Sequence, residues 1–421
     1  MKMTDVIIIG AGPAGLSAAA VAAEKGLNVL VIDEYMKPGG RLLGQLYEEP
    51  DGSWWNGIEE SAKLFNRVNQ AGVTVKLQTP VNNIETTADG IWSVYTEEET
   101  FSTKHLLIAT GAAEAPVPVP GWTLPGVMSV GAAQVITNVH RVKPGNRGVI
   151  IGINVLSAAI AMELKLAGVE VISLSLPGKN SMTEEAADPG KVLDSLLHVS
   201  HMAPSPLVRF GSRFMQNETM KKLGVSFFPK KGVKMWDIPV QLRKAVIEIY
   251  GENEVEGVVM ANVTSDGEVI TGTEEKITAD FVCIAGGLYP LAELAAVAGC
   301  PFYLIDELGG YVPLHSEQME TTLKGLYVAG NITGIEGAKV AAAQGTTAGL
   351  TIASNSGIQG LDKEIQLSIQ TIKQIRDKAS IQFHPEVKKG REIIQEKWEE
   401  YARTLDGATE AEATSKAGTG T

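Results

Sequence analysis

Six residues near the start of the chain, Gly10-Ala11-Gly12-Pro13-Ala14-Gly15, have the types and spacing to hold a pyrophosphate. The pattern G-x-G-x-x-G works through missing side chains. Its first glycine permits a tight turn, its second lets the backbone approach the phosphates, and its third lets helix and strand pack closely. The amide groups of a helix N-terminus then face the phosphate oxygens. Asp33, followed by Glu34, lies 23 residues beyond Gly10, where a carboxylate can accept from a ribose hydroxyl.

The surrounding elements support that chemistry. "DVIIIG" reads as a buried strand, an alanine-rich helix follows the turn, and "NVLVID" reads as a second strand ending at the acid. A glycine pattern alone is weak, but strand, helix and acid together specify a dinucleotide site. Four later segments resemble those of flavoproteins with two dinucleotide-binding domains, and they favour FAD. In "KPGGRLLGQ", the resemblance sets Gly39, Gly40, Arg41 and Gln45 beside the flavin pyrophosphate. In "TPVNNIE" it gives the Val81 backbone to the adenine, and "HLLIATGA" carries the strand end at Thr110 and Gly111. In "GLYVAGNITGIEGAK", Gly330 and Asn331 meet the ribitol, and a helix beginning near Gly337 points at the isoalloxazine. Asn331 departs from the aspartate usual there. An amide still hydrogen-bonds a hydroxyl but brings no negative charge, so the flavin environment is expected to be slightly more electropositive.

A second strand–turn–helix, "VIIGINVLSAAIAMELKLAGVEV", occupies residues 149–171. Gly152 keeps the tight turn, but Asn154 stands where the pyrophosphate would approach and Ser157 where helix and strand would meet. Twenty-three residues after Gly152 comes Ser175, which is neither a carboxylate for a ribose diol nor an arginine for a 2′-phosphate. The expectation is a Rossmann-like half without nicotinamide chemistry. ATP or ADP is expected there instead, held by the helix beginning near Asn154 with the Asn154 amide donating to a phosphate. The alternative is an empty packing unit.

Other chemistry is thin. The two cysteines, Cys283 and Cys300, form neither a C-x-x-C redox pair nor a metal set, and Cys300 reads as a small buried apolar residue. His198 and His201 have helical spacing, but nothing nearby completes a site; His105, His140, His315 and His384 stand alone. No metal site and no catalytic acid–base pair is identified. A net charge of −13 without a Lys/Arg-rich block argues against nucleic acid. No apolar run reaches the roughly 18 residues of a membrane span, and no basic leader precedes the first strand. A cytoplasmic protein is expected, with peripheral contact to the inner membrane face only through a complex.

The expected fold is α/β, with two Rossmann-like dinucleotide-binding domains, the second inserted in the first, and a C-terminal helical extension. Residues 1–115 and 280–357 form the FAD domain and 116–279 the insert, entered through the proline-punctuated "APVPVPGWTLPGV". "PGKNSMTEEAADPGK" (177–191) reads as an exposed loop. Residues 358–405 read as charged helices, either a solvated cap or a docking surface, and 406–421 as a disordered tail.

Three segments carry a closer resemblance: "PGWTLPGVMSVGAAQ", "AGGLYPLAELAAVAGC" and "VAGNITGIEGAKVAAAQGTTAGL". They are similar to the FAD/NAD(P)-type α subunits of heteromeric amino-acid dehydrogenases. That family includes dye-linked L-proline dehydrogenase, heterotetrameric sarcosine oxidase, opine oxidase and hydrogen cyanide synthase. The resemblance covers about residues 1–357. It implies an amine-oxidase-type β subunit that oxidises the small-molecule amino acid. It also implies FMN or an iron–sulfur centre at the interface with, or inside, a partner. This chain has no cysteine after Cys300, so it carries no cluster of its own. The leading expectation is therefore an FAD-binding subunit of a complex oxidising a proline-like secondary amine and passing electrons to a non-oxygen acceptor. The alternatives are a stand-alone NAD(P)H-dependent flavin oxidoreductase and a flavin-bearing assembly scaffold.

Overall fold

The computed structural model describes residues 3–49, 52–198, 225, 228–229, 232–379 and 382–417. Two sheets organise the chain. In the first, Thr74–Lys76, Val29–Ile32, Met3–Ile9, Thr100–Ile108 and Leu326–Val328 run parallel. Trp92–Thr96 and Val81–Thr86 continue it as an antiparallel edge. Val6–Ile9 and Val29–Ile32 are buried throughout, as befits parallel strands covered on both faces.

The helix Pro13–Glu24 lies on this sheet and crosses the helix Ala338–Asn355 at very short range. A Cβ on Gly345 would stand 2.0 Å from the Ala14 carbonyl oxygen, and one on Gly349 2.7 Å from that of Ala18. The "AAAQGTTAG" run is therefore small because backbone meets backbone there. Among the described residues, no helix is long and apolar enough to cross a membrane.

The second sheet has the order Val127–Ser129, Phe281–Ile284, Arg147–Ile151, Glu170–Pro177, Ile238–Tyr250, Gly257–Asn262, Glu275–Thr278, with Val233–Met235 paired to Ile238–Tyr250. This moves the expected boundary at residue 280. Phe281–Ile284 belongs to the inserted domain, between Val127–Ser129 and Arg147–Ile151. Its Phe281 ring occupies the space over Gly148, where a Cβ would come within 2.2 Å of it. The return to the FAD domain follows Ile284, through a short ribbon pairing Leu288–Pro290 with Ala112–Glu114. An apolar "FVCI" announces a buried strand but not which sheet receives it.

Two further expectations change. The supposed loop at 177–191 ends in a helix, Pro189–His198, begun by a proline suited to a first helical turn. The supposed disordered tail is helical to Ala417, in the helix Val387–Ala417. Its "ATEAEATSKA" is polar but rich in alanine and glutamate and free of proline, so helix propensity competes well with disorder. His201 lies outside the described residues, and with it the His198–His201 pair.

Candidate functional site

The first glycine turn sits at the carboxyl edge of the parallel strands, where open α/β sheets receive ligands. Gly10 has φ +105°, and a Cβ there would lie 2.4 Å from the Ala109 carbonyl oxygen. A Cβ on Gly15 would lie 1.8 Å from the Gly10 oxygen. Gly12 differs from both: a Cβ there meets nothing within 4 Å, so its missing side chain leaves free space. The helix that follows has Pro13 in its first turn and no side chain capping its N-terminus. This open cradle fits a dinucleotide pyrophosphate.

The other expected residues gather around it. Gly39 N–H donates to the Ala11 carbonyl at 2.7 Å, and a Cβ on Gly40 would be 3.3 Å from Gly12 Cα. A Cβ on Gly330 would be 2.9 Å from that of Ala14. Both Asp33 oxygens accept backbone N–H groups, from Ala11 at 2.5 Å and Tyr35 at 2.7 Å. Burial nevertheless raises its pKa, the two backbone bonds opposing. Each oxygen keeps a lone pair for a ribose hydroxyl. Glu34 beside it is exposed. Val81 opens its strand two residues after Thr79, whose N–H donates to the Asp33 carbonyl at 2.9 Å. Gly337 caps the helix Ala338–Asn355, and a Cβ there would also meet nothing within 4 Å.

Several side chains turn out to face protein. The Thr110 hydroxyl donates to the Leu291 carbonyl at 2.6 Å, and the Gly111 carbonyl accepts from Leu291 N–H. Arg41 donates to the Ala112 carbonyl at 3.0 Å and pairs with Glu114 at 3.4 Å. Gln45 Oε1 accepts from Trp55 Nε1 at 3.0 Å. The Asn331 side-chain oxygen accepts from Glu336 N–H at 3.2 Å. These residues shape the cradle's walls.

The second turn repeats the construction and then closes it. A Cβ on Gly152 would be 2.2 Å from the Ala285 carbonyl oxygen, matching Gly10 against Ala109. At the helix Val155–Leu166, however, Asn154 Oδ1 accepts from Ser157 N–H at 2.9 Å, and Ser157 Oγ accepts from Asn154 N–H at 2.9 Å. This capping box satisfies two amides at the turn, those of Asn154 and Ser157, and places both side chains over the helix N-terminus. Asn154 Nδ2 donates to the Ala285 carbonyl at 2.9 Å, so the expected donation to a phosphate is not available to it. The count to Ser175 also shifts. Ile9 pairs with Ile32, whereas Ile151 pairs with Ser175 because a β-bulge at Gly148/Val149 absorbs a residue. The partner of Asp33 is thus Leu176, fully buried and apolar.

Sequence reasoning missed three groups. Buried Gln344 accepts from Gly330 N–H at 2.9 Å and fixes the last flavin-type loop. Arg376 and Arg391, from the C-terminal helices, both pair with buried Glu336 at 2.5 Å, and Arg391 also donates to the Thr333 carbonyl. Burial alone would raise the Glu336 pKa, but the two guanidinium groups hold it below the usual range. The extension is therefore a clamp on residues 331–337. The third group is Glu163, buried at 3% exposure among neutral donors. Its signal was a charge three residues beyond Ile160, on the apolar face of a helix. Both cysteines are buried and free, and burial pushes the Cys300 thiol up to about 11, as suits a packing residue. His105, His140 and His315 bond Tyr327, Tyr35 and the Pro313 carbonyl. No metal-binding group of acids, histidines and cysteines occurs among the described residues.

Two outcomes are expected. Gly12→Val should keep its melting temperature within a few degrees yet lose FAD, because its side chain enters the open cradle. Gly15→Ala should lose about 2 kcal/mol or more of stability, measured by thermal unfolding, because its methyl overlaps backbone. Equal destabilisation by both would remove the distinction. Burial raises the Glu163 pKa to about 7, opposed by bonds from Gln134, Leu46 and Asn138. Between its ordinary value and 7, the folded state then binds more protons than the unfolded chain. Its contribution to stability falls across that pH window, by roughly 3 kcal/mol in all. The wild-type minus Glu163→Gln stability difference, followed by denaturant titration, should decline from pH 4.5 to 7; a flat difference contradicts this.

The geometry has counterparts among known proteins. An opine oxidase subunit of Rhizobium meliloti (strain 1021) is 29% identical over 382 residues, covering 85% of this chain and 72% of that protein. The L-proline dehydrogenase structure from P. horikoshii matches with a TM-score of 0.61 at 18% identity, over 87% of this chain and 59% of that one. The T. acidophilum thioredoxin reductase matches at 0.58 and 21% identity, over 85% and 99%. At such identities the two structures speak for the fold. Residues 4–345 match the family described as pyridine nucleotide-disulphide oxidoreductase. The chain belongs to that family and is a flavin-dependent oxidoreductase.

Proposed function

We propose that the chain is the FAD-binding subunit of a heteromeric dehydrogenase that oxidises a secondary amine or amino acid, proline-like in form, and delivers electrons to an acceptor other than oxygen. One contrast carries this reading: the first turn is open at Gly12, while the second is closed by its own Asn154 and Ser157. FAD, when bound, would supply a two-electron carrier. Gly12 would admit its pyrophosphate, and Gly10, Gly15 and Gly40 would allow the close backbone packing that forms the cradle. Asp33 would lie near its ribose, and Gly330, Asn331 and Gly337 would lie along its flavin end.

Among the described residues, none offers a source for those electrons. The second turn lacks a ribose acid and a phosphate cradle, and the buried cysteines form no exchanging pair. Electrons must then come from a partner. The relative from Rhizobium meliloti is named as one subunit of an oxidase, which favours an amine-oxidase-type companion here too. Any FMN or iron–sulfur centre would sit in or against that companion. The complex would work in the cytoplasm. The second turn, in this reading, holds neither NAD(P)H nor ATP or ADP.

A stand-alone NAD(P)H-dependent flavin oxidoreductase remains the competing reading, favoured by the fold match over nearly the whole thioredoxin reductase chain. Stopped-flow mixing of the FAD-loaded protein with NADH or NADPH separates the two. Little bleaching of the flavin band within seconds is expected, and fast bleaching by either would establish the competitor. Co-purification from the native host should bring down a second flavoprotein, with dye reduction by proline or sarcosine confined to the complex. Robust amine turnover by this chain alone would overturn the proposal.

A further inference from the structure

We infer that Glu163 is a positioning residue that ties the loop around the proposed flavin to the inserted domain, converting the second nucleotide-type helix into a support for the first site. The inference rests on the reading of residues 39–46 as the FAD loop. That loop leaves two backbone groups facing the inserted domain, and side chains of that domain take both. Leu46 N–H donates to Glu163 Oε1 at 3.1 Å, and the Gly44 carbonyl accepts from Asn138 Nδ2 at 2.7 Å. Asn138 Nδ2 also donates to Glu163 Oε2 at 2.8 Å, and Gln134 Nε2 reaches both Glu163 oxygens at 3.1 and 2.9 Å. One carboxylate thus gathers donors from the loop and from the helix Val130–Asn138 at the junction of the two domains.

The fit is tight. A Cβ at Gly44 would stand 2.9 Å from Gln134 Oε1, so a side chain there would displace Gln134 from its place beside Glu163. A second tie runs in parallel: Arg41 pairs with Glu114, which accepts from Ser129 Oγ at 3.1 Å and from Gly131 N–H at 3.0 Å at the start of the same helix.

Stability alone does not account for Glu163. A buried carboxylate held only by neutral donors is usually no better than an apolar side chain of similar size. What it does uniquely is accept from the helix and the loop at once. Its own helix is free for this duty because the N-terminus is already closed by the Asn154–Ser157 capping box.

The test uses the full chain in two states. Without flavin, amide hydrogen exchange of residues 40–46 should speed up by about tenfold in Glu163→Gln, since one N–H bond from the loop is weakened and an amide now faces two amides. Loaded with FAD, the same variant should bind it about tenfold more weakly and show a shifted flavin midpoint potential. The double variant Gln134→Glu/Glu163→Gln exchanges carboxylate and amide and should restore slow exchange. If Glu163→Gln does not fold, Asn138→Leu, which removes the Gly44 tie, should show the same loop exchange. Unchanged loop exchange in the folded single variants overturns the inference, as does unchanged FAD affinity together with unchanged potential. A wild-type chain that takes up no FAD would instead sink the flavin reading, with loop exchange still deciding the role of Glu163.

Discussion

Two helices begin at matching turns in this chain, and the hydrogen bonding of their first amides separates one site from the other. At the first, Gly12 leaves the helix N-terminus uncapped and a side chain's volume empty. At the second, asparagine and serine in place of two glycines let the chain cap its own helix, and Asn154 is pinned to the Ala285 carbonyl. A helix N-terminus leaves orphan amides that side chains, water or a ligand can satisfy. The first turn leaves its helix N-terminus without a side-chain cap, whereas the second engages the Asn154 and Ser157 amides with its own side chains.

The rest of the architecture supports the open turn. Backbone-to-backbone contact at Gly345 and Gly349 brings the helix of the last flavin-type motif against the first helix. The Arg376–Glu336–Arg391 cluster then fixes the loop that leads into it, so the C-terminal helices are joined to the site by buried charge. Glu163 and Asn138, from the inserted domain, bond the 39–46 loop. The inserted domain and the extension both act on the flavin-type cradle, one on each loop.

Much of this was legible in the residues. The glycine turn, the acid at Asp33 and the ordering of later segments specified the first Rossmann-like half, and the strand–turn–helix at 149–171 the second, because backbone geometry at such turns tolerates few residue types. The position equivalent to Asp33 was misread by one because a β-bulge at Gly148/Val149 leaves no mark in composition. The assignment of Phe281–Ile284 to a sheet depended on contacts far away in sequence. Glu163, Gln344 and Glu336 were overlooked because their partners come from segments distant in sequence, which only the fold brings together.

The most direct measurement is the nucleotide content of the purified, denatured protein after extensive dialysis, read by chromatography against protein concentration. One equivalent of FAD per chain and no ATP, ADP, NAD or NADP is the expected result. A second nucleotide retained at stoichiometric level, in a protein whose Asn154 and Ser157 are intact, would contradict the closure of the second turn.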